Sequence, residues 1–207
     1  MKLLLITLLS AVFLLSCNNN IYKNSITKIS SVKVYYQNGD SLKGQLNYPI
    51  YFNEIEIYLK LNNKKNKKIK TTEIEKVIYS MPNDQKVIFK KFLINDETIS
   101  TTKDKFQFLE LLSEGKINLY YGHNFGFLYK DGKNKKFLQK TNLFYCKRGN
   151  ETNLTLIHAT TNKSNSNENN ALLAKDYFQN EPSIKDKINS TNFTQEYLIT
   201  LIKNFNK

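Results

Sequence analysis

Apolar and polar positions alternate with a period of two through most of the chain up to residue 160, and the period lengthens to that of a helix only past residue 170. Val32-Lys33-Val34-Tyr35-Tyr36-Gln37 and residues 41–48 flank Asn38-Gly39-Asp40, which predicts a β-hairpin. Parity selects its loop. A two-residue loop sets Val34 opposite Lys43, whereas a three-residue loop with glycine in the left-handed position pairs Tyr36 with Leu42 and Val32 with Leu46, and the latter is expected. Ile55, Ile57, Leu59 and Leu61 alternate with Glu56, Tyr58 and Lys60, as in an antiparallel strand buried on one side. Residues 62–70, NNKKNKKIK, then read as a solvated hairpin tip whose lysines discourage edge pairing, with a phosphate or lipid-headgroup patch as the alternative.

Further strands are expected at 77–79, 86–94, 126–130 and 137–140. Residues 106–113 suit either period, but the Glu114-Gly115 turn and the returning Ile117, Leu119 and Tyr121 favour a strand pair. Residues 161–170, TNKSNSNENN, read as a polar surface linker. Helices follow: 171–179 with Leu172, Leu173 and Tyr177 at helical spacing, and a short one from Pro182 or Ser183 with Ile184 and Ile188 on one side. In the last, Thr194 is the N-cap, Phe193 and Leu198 form a hydrophobic staple, and Leu198, Leu201, Ile202 and Phe205 form one apolar stripe. Strands before helices, without β-α alternation, predict an α+β fold: a predominantly antiparallel β-sheet, or a small barrel or sandwich, followed by C-terminal helices packed on it.

The start of the chain has a different pattern. Lys2 is followed by an apolar run over 3–15, of signal-peptide length and too short to span a membrane. It ends in Leu14-Leu15-Ser16-Cys17, which resembles the lipobox of bacterial lipoproteins. The resemblance implies cleavage before Cys17, diacylation of its sulfur and acylation of the new amine. Two or three acyl chains hold a protein at a bilayer where one does so only marginally. An ordinary secretory signal or an uncleaved anchor are the competing readings. The expected division is signal peptide 1–16, lipidated tether 17–31, β-rich domain 32–160, polar linker 161–170 and helical segment 171–207. The polar tether lacks the acidic cluster that resembles a surface-export signal in some Bacteroidetes lipoproteins, so the expected location is the cell envelope, on an outer-membrane anchor facing the periplasm.

Composition changes this picture in two places. A formal charge of +13 suggests an anionic partner, yet Arg148 is the only arginine, and recognition of phosphates and bases relies on arginine forks. Nucleic acid is therefore not expected; a coding bias toward Lys, Asn and Ile explains the excess, and attraction to anionic headgroups near the anchor is compatible with it. The two cysteines are Cys17 and Cys146, and acylation of the first leaves Cys146 alone in the apolar run Leu143-Phe144-Tyr145-Cys146, as a buried inert thiol.

No metal-ligand spacing, nucleophile elbow or phosphate-binding glycine loop is present, and neither metal nor cofactor is expected. His123, after Tyr120-Tyr121-Gly122, is placed in a loop, and Tyr120, Tyr121 and His123 are the candidate ligand-binding residues. Tyr35, Tyr36 and Tyr58 are further candidates for stacking on sugars. Glu110 and Glu114 are expected to face solvent. Gly39-Asp40-Ser41-Leu42-Lys43-Gly44, residues 112–120 (LSEGKINLY) and Lys203-Asn204-Phe205-Asn206 resemble stretches of uncharacterised Bacteroidetes envelope proteins. That resemblance brings no assigned activity. The preferred reading is a non-catalytic binding or assembly module, lipid-anchored through Cys17 and contacting another envelope protein or a glycan. An envelope hydrolase using carboxylate or His123 chemistry is the alternative.

Overall fold

A computed structural model of the chain describes residues 31–46, 50, 55–62, 65–82, 84–94, 105–130, 136–161 and 167–207; the apolar run over 3–15 and Cys17 lie outside them. The strands are β1 (Ser31–Tyr36), β2 (Ser41–Gly44), β3 (Glu56–Lys60), β4 (Asn66–Lys70), β5 (Ile74–Ser80), β6 (Lys86–Ile94), β7 (Lys105–Ser113), β8 (Ile117–Lys130), β9 (Lys136–Arg148) and β10 (Thr155–Thr161). The helices are α1 (Asn167–Tyr177), α2 (Pro182–Lys185) and α3 (Gln195–Phe205). The fold is α+β. One antiparallel sheet has the order β10-β9-β8-β7-β6-β5-β1-β2, while β3 and β4 form a separate hairpin. From β6 to β10 each strand pairs antiparallel with its predecessor, so among the described residues no crossover helix interrupts that run. Among the described residues no pairing joins β10 to β2, so the sheet is open.

The β1–β2 turn has the expected three-residue loop, with Gly39 at φ 89°, where a side chain is strained. Its register differs. Tyr36 N–H donates to Asp40 O at 2.9 Å, and Val34 lies opposite Leu42 and Val32 opposite Gly44, so Tyr36 does not pair with Leu42 nor Val32 with Leu46. The Asn38 amide tightens the loop, accepting from Asp40 N–H at 3.1 Å and donating to the Asp40 carboxylate at 2.8 Å. Because the shift is even, Val32 and Val34 stay on the buried face.

The lysine run 62–70 is not simply a tip. Its second half is β4, with Ile69 opposite Ile57 and both buried, and the turn closes earlier through Leu61 N–H to Lys65 O at 2.9 Å. One inward isoleucine is enough to recruit the lysines into a strand. Ile57 and Leu59 point inward as expected, whereas Ile55 precedes the strand and is 79% exposed. The separate strands expected at 126–130 and 137–140 are parts of the long β8–β9 hairpin, and His123 lies within β8, opposite Asn142, rather than in a loop. Continuous pairing with β9 overrides the turn-like composition of Gly122-His123-Asn124.

One face of the sheet carries both covers. The β3–β4 hairpin packs over Val32, Val34, Val77, Tyr79, Val87, Phe89 and Phe108. The helices pack over Ile117, Leu119, Tyr121, Phe144, Cys146 and Ile157. Both groups are buried, which at about 25 cal/mol per Å² is the main stabilising term. Leu109, Tyr120, Leu143 and Tyr145 form a smaller cluster on the opposite face.

The final helix is as expected: Thr194 Oγ1 accepts from Tyr197 N–H at 3.2 Å, and Phe193, Leu198 and Ile202 are fully buried. Ile184 and Ile188 are also buried. The first helix departs from expectation, starting at Asn167 and burying Asn170, Ala171 and Ala174, while Leu172 and Leu173 face water at 61% and 47% exposure. Residues 161–170 therefore include the end of β10 and the first turn of α1, not a linker alone. The reason is local. The Asn170 amide donates to Ala159 O and accepts from Ala159 N–H, both at 3.0 Å, which turns the small residues beside it toward β10.

Candidate functional site

Tyr120 and Tyr121, adjacent in a strand, point to opposite faces, and both are buried, at 2% and 5% exposure. Tyr120 packs edge-on to Phe92 at 4.7 Å between ring centroids, and burial, with the Glu114 carboxylate adding, pushes its hydroxyl up to about 12. Tyr121 packs against Phe144 and donates to Asn142 Oδ1 at 3.1 Å; Asn142 in turn donates to Thr160 Oγ1 at 3.4 Å. Tyr120 and Tyr121 therefore do not share one surface, since they are core residues of opposite faces. Of His123 the described structure gives the backbone alone. Among the other tyrosines, Tyr58 is exposed on the hairpin and Tyr35 is half-buried.

Among the described side chains, the one cysteine and the one histidine are held in the interior. Cys146 is fully buried, and that burial raises its thiol well above the ordinary value, so little thiolate forms. His158 is also fully buried, between Phe144 and Phe193, with Nε2–H donating to Phe193 O at 3.2 Å. Nδ1 has no partner among the described residues, and burial lowers the pKa, so the ring is neutral. Among the described residues no group of three or more His, Cys, Asp or Glu is placed to hold a metal.

Arg148 ties β9 to the helices. Its guanidinium meets Glu181 through two hydrogen bonds of 3.0 and 2.8 Å, pairs with Glu151, donates to Tyr177 O at 2.9 Å and lies 4.1 Å from the Tyr177 ring centroid. Glu151 also accepts from Arg148 N–H and Tyr177 O–H, each at 2.7 Å. Burial pushes the Glu151 carboxyl up, but these hydrogen bonds outweigh it and hold it below the ordinary value. Planar bidentate geometry explains an arginine in a chain otherwise rich in lysine.

The turn between β7 and β8 and the end of the chain meet in space. Asn206, just past α3, accepts from Ile117 N–H at 3.2 Å and donates to Ile117 O at 2.7 Å and Ser113 Oγ at 2.9 Å. Gly115 leaves room for it: a Cβ there would stand 2.6 Å from Asn206 Cγ. Lys116 Nζ lies 5.6 Å from the Phe205 ring centroid. The last residues thus lock the β7–β8 turn. No family model matches the chain, and neither a curated protein nor a solved structure matches it.

Glu110 overturns one expectation. Glu114 is exposed and pairs with Lys90 at 3.3 Å, but Glu110 is half-buried on the covered face, opposite Phe89 and Tyr121. It sits between the Phe108 and Leu112 positions that serve the two covers. Burial pushes its carboxyl up to about 7, against the opposing pull of the Lys203 ammonium on α3. The signal was in the sequence, since alternation places Glu110 with Phe106 and Phe108.

Proposed function

We propose that the chain is a membrane-anchored envelope lipoprotein whose β domain is a non-catalytic binding or assembly module, contacting another envelope protein or a glycan. The observation that carries the reading is the apolar run ending in Leu14-Leu15-Ser16-Cys17, separated by a polar tether from a domain whose first strand begins at Ser31. The internal use of Arg148, Cys146 and His158 supports the non-catalytic part. Mass analysis of the N-terminal peptide from the native membrane fraction should show diacylglycerol on Cys17. A Cys17→Ala chain that fractionates and labels like the wild type overturns the anchor. Crosslinking in intact cells should recover one reproducible partner; only random neighbours across repeats would sink the binding module.

A second reading, an envelope hydrolase acting on glycan or peptide, draws on Glu110, whose carboxyl near 7 lies in the range of a general acid. Turnover of cell-wall fragments abolished by Glu110→Gln would support it. Turnover unaffected by that change, or none at all, excludes Glu110 from such a role.

A further inference from the structure

At the β1 end, the sheet face that no described element covers has a distinct charge pattern. Opposite the buried Val32 and Val34, β1 presents Lys33 and Tyr35. Lys33 lies directly across from Lys43 of β2, Tyr35 from Lys76 of β5, and Lys76 from Lys90 of β6. Lys86 shares the face, across from Ser80. Like charges directly opposite on neighbouring strands are destabilising, and this face contains two such pairs. Among the described residues Lys33, Lys43, Lys76 and Lys86 have no carboxylate within ion-pair distance; Lys90 reaches Glu114. The hairpin, by contrast, neutralises Lys68 with Glu56 at 2.7 Å. Instead of splaying apart, Lys33 Nζ and Lys76 Nζ converge on one ring, 4.6 and 4.7 Å from the Tyr35 centroid.

We infer that this face, Lys33, Lys43, Lys76, Lys86 and Lys90 around Tyr35, lies against the anionic lipid headgroups of the membrane that holds Cys17. Its placement rests on the lipoprotein reading. Cys17 precedes Ser31 by 14 positions, a chain that extends to at most about 50 Å and so lets the face reach the bilayer of its own anchor. Four adjacent strands about 4.8 Å apart make a laterally spread array, suited to a plane of charges rather than to a single phosphate. Lysine ammoniums are compact charges without the bidentate fork of arginine, which favours a diffuse anionic surface over a structured nucleic acid. Each lysine near such a surface strengthens docking about fivefold, and the attraction decays within a Debye length of about 10 Å at 0.1 M salt.

The test uses the full chain purified from membranes and placed on phosphatidylglycerol-containing or pure phosphatidylcholine vesicles, with brief amine labelling read by digestion and mass spectrometry. The five lysines should label several-fold more slowly on the anionic vesicles and recover in high salt, while Lys185, Lys187 and Lys207 do not change. K33Q/K76Q should return Lys43 and Lys90 to the rate seen on neutral vesicles. The Cys17 peptide in the same digest reports the anchor separately. Protection with Cys17 unmodified upholds the docking face and overturns the lipoprotein reading. Equal labelling on both vesicle types, or protection only in intact cells, overturns the lipid assignment; the second result gives the face to a protein or glycan.

Discussion

Replacing Asn206 with alanine tests whether the last residues of the chain hold the middle of the sheet. The side chain makes three hydrogen bonds, two of them to the backbone of Ile117. Leaving a buried backbone group unpaired costs about 1–3 kcal/mol, and the low end applies because this site is partly open to water. Two such groups and the bond to Ser113 together give about 2–3 kcal/mol, or roughly 5–10 °C in melting temperature for a domain of this size. Urea titration followed by circular dichroism measures it. Asn206→Asp should cost as much, because it keeps the acceptor facing Ile117 N–H but turns an oxygen on Ile117 O. Gly115→Ala places a Cβ 2.6 Å from Asn206 Cγ and should expel the same side chain. The double variant Gly115→Ala/Asn206→Ala should then be less destabilised than the sum of the singles by about 1–2 kcal/mol. Additive effects, or an Asn206→Ala cost under about 0.5 kcal/mol, would refute the lock.

Arg148→Lys keeps the charge but loses the bidentate bonds to Glu181 and the contact with the Tyr177 ring, and should lower stability by about 1–2 kcal/mol in the same titration; a neutral result removes the clasp from the account. The Glu110 carboxyl, raised from 4.5 to about 7, binds its proton more tightly when folded, so its contribution is full below pH 4.5 and is lost as the pH rises through 7. Melting temperatures across that window should fall for the wild type and flatten for Glu110→Gln; an unchanged slope refutes the assignment. His158 runs the other way, with its folded pKa below the ordinary 6.5, so its contribution is full above 6.5 and lost on acidification below it. Its ring proton resonances should titrate with a midpoint below the ordinary 6.5, and a normal titration curve would show the ring to be open to water. Thr194→Ala should cost about 1 kcal/mol through loss of the cap on α3, whereas Thr194→Ser should be nearly silent in thermal melts.

The features legible in the sequence were those set by local period and local chemistry. Alternation located β1, β6 and the β7–β8 pair, and the Phe193-Thr194 signal located the start of α3. What failed depended on partners distant in the chain. The inward face of α1 is set by the Asn170 amide reaching Ala159, so the helix hides its alanines and displays Leu172 and Leu173, the reverse of what hydrophobicity alone predicts. Tyr120 and Tyr121 read as candidate ligand-binding residues, but strands on both sides and packing on both faces bury them. Asn206 carried no visible role, because its partners lie some 90 positions upstream.

The Asn170 contact has a consequence for crowding. By engaging both Ala159 N–H and Ala159 O, the amide occupies on β10 the position that the backbone of a neighbouring strand would take. Proteins confined to a surface meet one another at high local concentration, and an open strand edge is then a template for end-to-end growth. A side chain of α1 acts as a terminator there, so each sheet remains its own even where many copies crowd together.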